Sequence, residues 1–422
     1  MNCSNAFPAN SRPRSRATHL SPIAAFNLLA SITVSFLASS AAPTPLYPLY
    51  QAEWGFSPII VTVVFGVYAL ALLSALLVIG RLSDYIGRRP VLIAATVAQA
   101  ATMLVFATAD GLTALLIARV IQGLSTGAAI AAVGAGMLDL DKARGTVANA
   151  VAPPLGTALG GIVAGLMVRY LPAPTHLAYL VLSGIFLLQG IGVLFMTESV
   201  SPRSGAFASL RPQFRLPIAV RGPLLLAVPV LVAAWSLAGF YASLGPTLIR
   251  SMFGLDPSLS GGLALFVLGG SGGASILLLR RREPRTMMSF GAVTLLTGAA
   301  VAVAALSYHS ATAFFFATAV AGMGFGSSFQ GAVRTVVPFA ATHERAGVLS
   351  VIFVVSYLAM GLPAVVAGYL VARGGDIVRT AWEFGLVVMV LAGLALLGGA
   401  AQRPRQQRRQ GRGAVAEEIR DR

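Results

Sequence analysis

The chain has one cysteine, Cys3, among its 422 residues. A lone thiol in the amino-terminal tail rules out an internal disulfide and any cysteine-based metal site. Histidine is almost as scarce: His19, His176, His309 and His343 fall in separate loops or tails, which gives no basis for a metal centre. No G-x-x-x-x-G-K-[ST] phosphate loop is present, which argues against an ATP-driven pump, and H-E-x-x-H does not occur. Nothing here calls for a cofactor or an enzyme. Charge is also short, at 10% of residues, against about 25% in soluble domains.

What fills the chain instead is apolar, with 56% hydrophobic residues and a mean hydropathy of +0.80. Apolar windows recur twelve times, near 22–46, 58–80, 90–108, 112–138, 146–170, 177–197, 223–246, 259–279, 287–307, 311–335, 347–371 and 380–400. Helices of that length cross a hydrocarbon core of roughly 30 Å at about 1.5 Å per residue. The expected fold is therefore an all-α, polytopic membrane protein with twelve transmembrane helices. The first window is too long for a signal-peptide core and is read as a retained helix.

The net charge of +16 would suggest nucleic acid in a soluble protein. Here the charges collect in the connections. If both termini are cytoplasmic, 25 of the 30 Lys and Arg residues lie on the inner side, as the positive-inside rule requires. The basic segment after Arg403 reads as a solvated tail near anionic lipid, not as a nucleic-acid site. A polar stretch at 198–222 divides the chain into six helices, 22–197, and six more, 223–400, between tails at 1–21 and 401–422. A weak echo at an offset near 201 supports two repeats: Gly123 maps to Gly324, and Lys142 to Gly145 faces Glu344 to Gly347. It is imperfect, because Asp84 would map to Arg285.

Between the second and third windows lies G-R-L-S-D-Y-I-G-R-R-P, Gly80 to Pro90. With Gly80, Leu82, Asp84, Gly87, Arg88 and Arg89 in place, it resembles the signature loop of the major facilitator superfamily, a family of transporters. The resemblance implies that Asp84 meets the amino-terminal end of the eleventh helix, near Gly347, and locks one access state. The arginines would then reach Asp139 or Asp141 at the inner end of the fourth helix. Alternatively, Arg88 and Arg89 merely enforce topology, which leaves Gly80 and Asp84 unexplained.

The fourth helix carries Arg119, Gln122 and Gly123 in a pattern that resembles the family's R-x-x-Q-G motif. Arg119 lies about seven residues, roughly 10 Å, into the membrane. By resemblance it takes part in proton coupling or substrate contact; alternatively it donates to backbone carbonyls of the first helix. The fifth helix, with Gly156, Gly160 and Gly161, resembles an antiporter motif, but Thr157 stands where the proline belongs. Those glycines suit tight helix packing in any transporter. Pro43 and Pro45 either mark the proline-bearing end of the first helix in drug exporters or close it with an aromatic belt of Tyr47 and Tyr50.

A proton-coupled carrier usually needs a carboxylate within the membrane. Glu53, Asp110, Glu198, Asp256 and Glu383 all fall near helix ends, and of these Glu53 and Glu383 are the coupling candidates. Residues that would line a central cavity include Asn27, Ser31, Trp235, Tyr241 and Gln330, beside Arg119 and Gln122, in an otherwise apolar wall. Such a wall suits a small apolar or amphipathic solute. The expected function is proton-linked efflux of such compounds by alternating access. Its partners are a small-molecule substrate, protons and the lipid bilayer, without nucleic acid. The setting is a monomer in the plasma membrane, multi-pass, with both termini cytoplasmic. Uptake or facilitated diffusion of a metabolite is the alternative, and a non-transporting receptor or scaffold a third.

Overall fold

The computed structural model describes residues 19–212, 216–341 and 344–420, with 401–420 as backbone alone. Cys3, Arg12, Arg14, Arg16, Arg215, His343 and the side chains of the basic carboxy-terminal segment lie outside the described residues. No strand occurs among the described residues. The first part of the chain forms α1 (Pro22–Ala41), α2 (Pro43–Trp54), α3 (Pro58–Val78), α4 (Ser83–Ile86), α5 (Arg88–Ala107), α6 (Leu112–Leu140), α7 (Lys142–Tyr170), α8 (Pro174–Leu194) and α9 (Ala206–Ser209). The second forms α10 (Ile218–Ser243), α11 (Gly245–Phe253), α12 (Pro257–Leu279), α13 (Pro284–Ser307), α14 (Ala311–Val336), α15 (Arg345–Ala372) and α16 (Ile377–Arg420). Among the described residues, twelve spans are long and apolar enough to cross a membrane, the first made of α1 and α2 together.

Local chemistry sets many of these boundaries. Ser21 accepts from the Ala24 amide ahead of Pro22, Asp141 from Arg144, Asp256 from Leu259 and Ser310 from Ala313. Each side chain satisfies a first-turn amide that has no partner within its own helix. In the expected first helix, 22–46, the hydrogen-bond ladder is interrupted at Ala42, because Pro43 and Pro45 cannot donate to the turn before them; the Ala42 backbone stays helical and the helix runs on as α2 to Trp54. Two more departures have similar causes. The expected seventh helix ends at Ser243, and Gly245 and Pro246 start the short α11. The last helix runs on through Arg420, past the expected end near 400.

Buried apolar side chains gather into two large clusters, one from Ala25 to Met196 and one from Val220 to Ala395 with Ala41 added. A third joins α3 to α15 through Phe65, Tyr68, Leu72, Tyr357 and Met360. Outward-facing leucines such as Leu188, Leu225, Leu278 and Leu397 stay exposed, as lipid contact requires. The Leu20 amide donates to the Phe195 carbonyl, which places the start of the first span beside the end of the sixth. With twelve spans among the described residues, the start of the first and the end of the twelfth lie on this same side of the bundle, the terminal end; the opposite side is the far end.

Candidate functional site

The 80–90 stretch is not the simple loop its charges suggest. α4 forms within it, and Arg88, Arg89 and Pro90 are the first turn of α5, where a proline is tolerated. Gly87 separates the two helices with φ of 102°, a left-handed conformation that favours glycine. A Cβ there would also stand 2.9 Å from the Glu198 carboxyl carbon. Glu198 fills that space for a reason: its Oε1 accepts from the Arg88 amide at 2.8 Å and its Oε2 from the Arg89 amide at 2.9 Å. A carboxylate thus neutralises the positive amino end of α5. Arg89 returns the favour, donating to the Val193 and Leu194 carbonyls in the last turn of α8. Third and sixth spans are stapled by two reciprocal contacts.

Arg88, 7% exposed, gathers the remaining charges. Its Nε donates to Asp139 Oδ2 at 3.2 Å, and its Nη1 to Ser83 Oγ at 2.7 Å and to Asp84 Oδ1. Ser199 Oγ adds a bond to Asp139 at 2.9 Å. Of the two acids expected to meet the arginines, Asp139 does so, while Asp141 caps α7 and pairs with Arg144. The expected contact of Asp84 with the start of α15 is not the one present. Among the described residues its carboxylate bonds Arg88, and its side chain is 47% exposed. Gly80 is needed for close approach, since a Cβ would strike the Leu76 carbonyl oxygen.

Arg119 is fully buried, and the interrupted first span explains how. Pro43 has no N–H, so the Ser39 carbonyl four residues earlier loses its helical donor. Gln122 Nε2 takes that carbonyl at 3.0 Å, and Arg119 Nη1 takes the neighbouring Ser40 carbonyl at 3.1 Å. One turn of α6 therefore clamps the interruption. Arg119 also donates to Gln122 Oε1 at 2.6 Å and to the Tyr47 hydroxyl, beneath the rings of Tyr47, Tyr68 and Phe106. These partners are all neutral, and its Nε has none among the described residues. Gln99 extends the network to Ser39 Oγ and Ser125. Tyr47 and Tyr50 are buried, not an aromatic belt, and the Tyr50 hydroxyl bonds that of Tyr179 at 3.1 Å. Gly123 lies one turn along, where a Cβ would meet Ala71 and the backbone of α3.

The seam between the two large clusters holds close glycine contacts at the far end. There Gly368 packs on Thr62, Gly66 on Val365, and Gly165 on Ser258. Thr44 Oγ1 donates to the Ala242 carbonyl at 2.8 Å across it. Gly161 meets Gly262 and Leu265 of α12, whereas Gly156 and Gly160 press on Val34, Leu37 and Ala38 of α1. Thr157, in the place of a motif proline, turns its Oγ1 back to the Pro153 carbonyl at 3.2 Å.

The other expected residues scatter. Asn27 and Ser31 are exposed, and Ser31 accepts from Gln189 of α8. Tyr241 is a core residue, not a cavity wall, because its ring stacks on Phe314 and its hydroxyl bonds Thr318 at 2.9 Å. Trp235 and Gln330 are half-buried. Glu53 is exposed near the end of α2, and Glu383 pairs with Arg379 at 3.0 Å. Sequence reasoning missed Glu198 as a helix cap, Gln99 and the inward role of Tyr47. Glu198 was visible as an acid just after an apolar window, but nothing in the sequence said which helix it faces.

The profile of the Major Facilitator Superfamily matches residues 28–364. A crystal structure of a mutant of the nucleoside transporter NupG is similar to this chain, with a TM-score of 0.66 at 13% identity over 90% of this chain and 98% of that one. At that identity the likeness speaks for the fold. With twelve apolar spans, the signature at Gly80 to Pro90 and a profile match over most of its length, the chain belongs to the Major Facilitator Superfamily and is a multi-pass membrane transporter, not an enzyme.

Proposed function

We propose that this transporter exports small, mainly apolar or amphipathic compounds across a plasma membrane in exchange for protons. It acts as a monomer of two six-helix halves, 22–197 and 223–400, with both termini in the cytoplasm. The observation that carries the reading is the Arg119 clamp at the interrupted first span. A buried cation with only neutral partners responds strongly to any charge that approaches it. Its position at the interrupted ladder between α1 and α2 couples that response to the first span.

Reconstituted protein tests this directly. Apolar fluorescent compounds should be moved when a pH gradient is imposed and should stop moving when it is collapsed. A null result with every compound would overturn the proposal. Facilitated diffusion or uptake of a metabolite is the second reading. It is favoured by the described carboxylates, which lie at or near helix ends, with Glu383 already paired. The fold-level likeness to a nucleoside transporter agrees with it. Movement that is indifferent to the pH gradient would select it.

A further inference from the structure

Away from the seam, the end of α3 together with α4, α5 and α6 encloses an open-sided groove of about 270 Å³. It faces lipid. Pro90, Ala94, Val97, Ala101 and Leu104 are exposed at helical spacing along α5, as are Ile117, Ile121 and Leu124 along α6. Inside the groove α5 presents only Pro90, Val91, Ala94, Ala95 and Ala98, and these short side chains leave the space. It begins at the terminal end, where Leu82 and Ile86 of α4 meet the first turn of α5. From Pro90 to Ala98 it follows about 12 Å of helix, close to the roughly 15 Å of hydrocarbon in one leaflet.

The lining offers nothing to a polar solute. Its polar side chain is Ser125, whose hydroxyl already donates to Gln99 Oε1 and to the Gln122 carbonyl. A site for a compact ligand encloses about 70–90% of it, whereas this groove stays open along its length and suits a chain lying in it. A cation stands at the terminal end. Arg81 lies in sequence between two lining residues, Ile79 and Leu82; it is half-buried, and its side chain has no hydrogen bond or ion pair among the described residues. The other charges of the signature stretch are engaged: Asp84 and Asp139 bond Arg88, and Arg89 holds carbonyls of α8. A guanidinium left over at a membrane boundary matches a phosphate, which it can grip with two parallel hydrogen bonds.

We propose that the groove holds one acyl chain of an anionic phospholipid from the leaflet at the terminal end, with the lipid phosphate on Arg81. An anionic headgroup is preferred because a zwitterionic one brings its own cation toward the arginine. The chain alone would make the packing that any lipid offers, and the phosphate alone would have no fixed place. Joined in one molecule, they distinguish this lipid from its neighbours. The bound chain lies against Leu82 and Ile86 of α4 and Pro90 of α5, so it supports from the lipid side the two elements that carry Asp84 and Arg88. None of this depends on the direction of transport or on its coupling.

The test uses full-length protein in detergent and native mass spectrometry with phosphatidylglycerol or phosphatidylcholine of identical chains. The first phosphatidylglycerol should bind about fivefold more tightly than the first phosphatidylcholine, the effect of one cation beside an anionic headgroup. Arg81→Gln should remove that preference, while Arg250→Gln, an exposed cation at the far end, should keep it. Ala94→Phe fills the groove and should weaken the first binding of both lipids about fivefold. Ala101→Phe, on the same lipid stripe but outside the groove, should not. In nanodiscs, amide exchange across Ser83–Ile86 should be slower with phosphatidylglycerol than with phosphatidylcholine, and equal in the two lipids for Arg81→Gln. Equal binding of the two lipids, a preference that survives Arg81→Gln, or binding that Ala94→Phe leaves unchanged would overturn the proposal. Exchange that ignores the lipid would overturn the support of α4.

Discussion

Glu198 offers the sharpest test of the staple at the signature stretch, because glutamine and alanine should fail there in different ways. The carboxylate accepts from the Arg88 and Arg89 amides at 2.8 and 2.9 Å, and also from the Ser199 and Val200 amides at 3.0 and 3.2 Å. In Glu198→Gln, one oxygen becomes an NH2 that must face an amide N–H, donor against donor. The loss is one charge-assisted hydrogen bond, about 1.5–3 kcal/mol, plus about 0.3–1 kcal/mol of helix-end electrostatics. Glu198→Ala removes the cap but lets water reach the two amides, for about 1–2 kcal/mol. Glutamine, the nearer substitute in shape, should therefore be at least as damaging as alanine. Hydrogen exchange of a peptide spanning Arg88 and Arg89 reads this locally, and a loss of about 2 kcal/mol should speed exchange on the order of 30-fold. Unchanged protection in Glu198→Gln would show that the carboxylate charge is not what holds the start of α5.

Other substitutions probe the remaining contacts. Gly87→Ala should speed the same exchange and combine with Glu198→Ala less than additively, since both break one contact; full additivity would separate them. Asp84→Asn should abolish transport in proteoliposomes while membrane insertion, followed by protease accessibility, stays intact; unchanged transport would remove the gate. Arg119→Lys keeps the charge but cannot reach both the Ser40 carbonyl and Tyr47, so transport should fall at least tenfold with little loss of melting temperature. Equal activity would reduce Arg119 to its charge alone. Gly160→Val would drive a side chain into the Ala38 backbone and should lower the yield of folded protein by size exclusion, whereas Gly184→Val, with open space, should not.

The membrane fold was legible because hydropathy reports burial in lipid directly, and the twelve windows needed only length and composition. Boundaries failed where a residue acts through backbone chemistry. Pro43 was visible in the sequence, yet a proline late in an apolar run can end a helix, kink it or start another, and only packing against α6 decides. The pairing of Arg88 with Asp139 followed from a family pattern that places opposite charges at one membrane face. Glu198 and Gln99 carry no such pattern, since a cap is defined by the helix it meets in space and not by its neighbours in the chain. Tyr241 was expected on a cavity wall because a helix face cannot be chosen from a window that is apolar all round.

The distribution of polar contacts bears on how the protein changes state. The Arg88 group, the Glu198 staple and the Arg119 clamp all join helices within residues 19–212, as Tyr241 to Thr318 and Ser236 to Ala359 do within the second part. Across the seam, the side-chain hydrogen bond seen among the described residues is Thr44 to Ala242; the other contacts noted there are glycine and apolar. In lipid, apolar contact between helices has no hydrophobic driving force and rests on packing. Parting the far-end seam therefore breaks about one hydrogen bond, about 1 kcal/mol net, while bending either half would break several at once. Rigid rocking of two halves is the motion of least resistance, and two states within a few kcal/mol of each other are what alternating access requires. Thr44→Val tests the step: it should shift the population toward the state open at the far end, seen as faster labelling of a cysteine placed at Gly66, and unchanged labelling would mean that packing, not this bond, sets the balance.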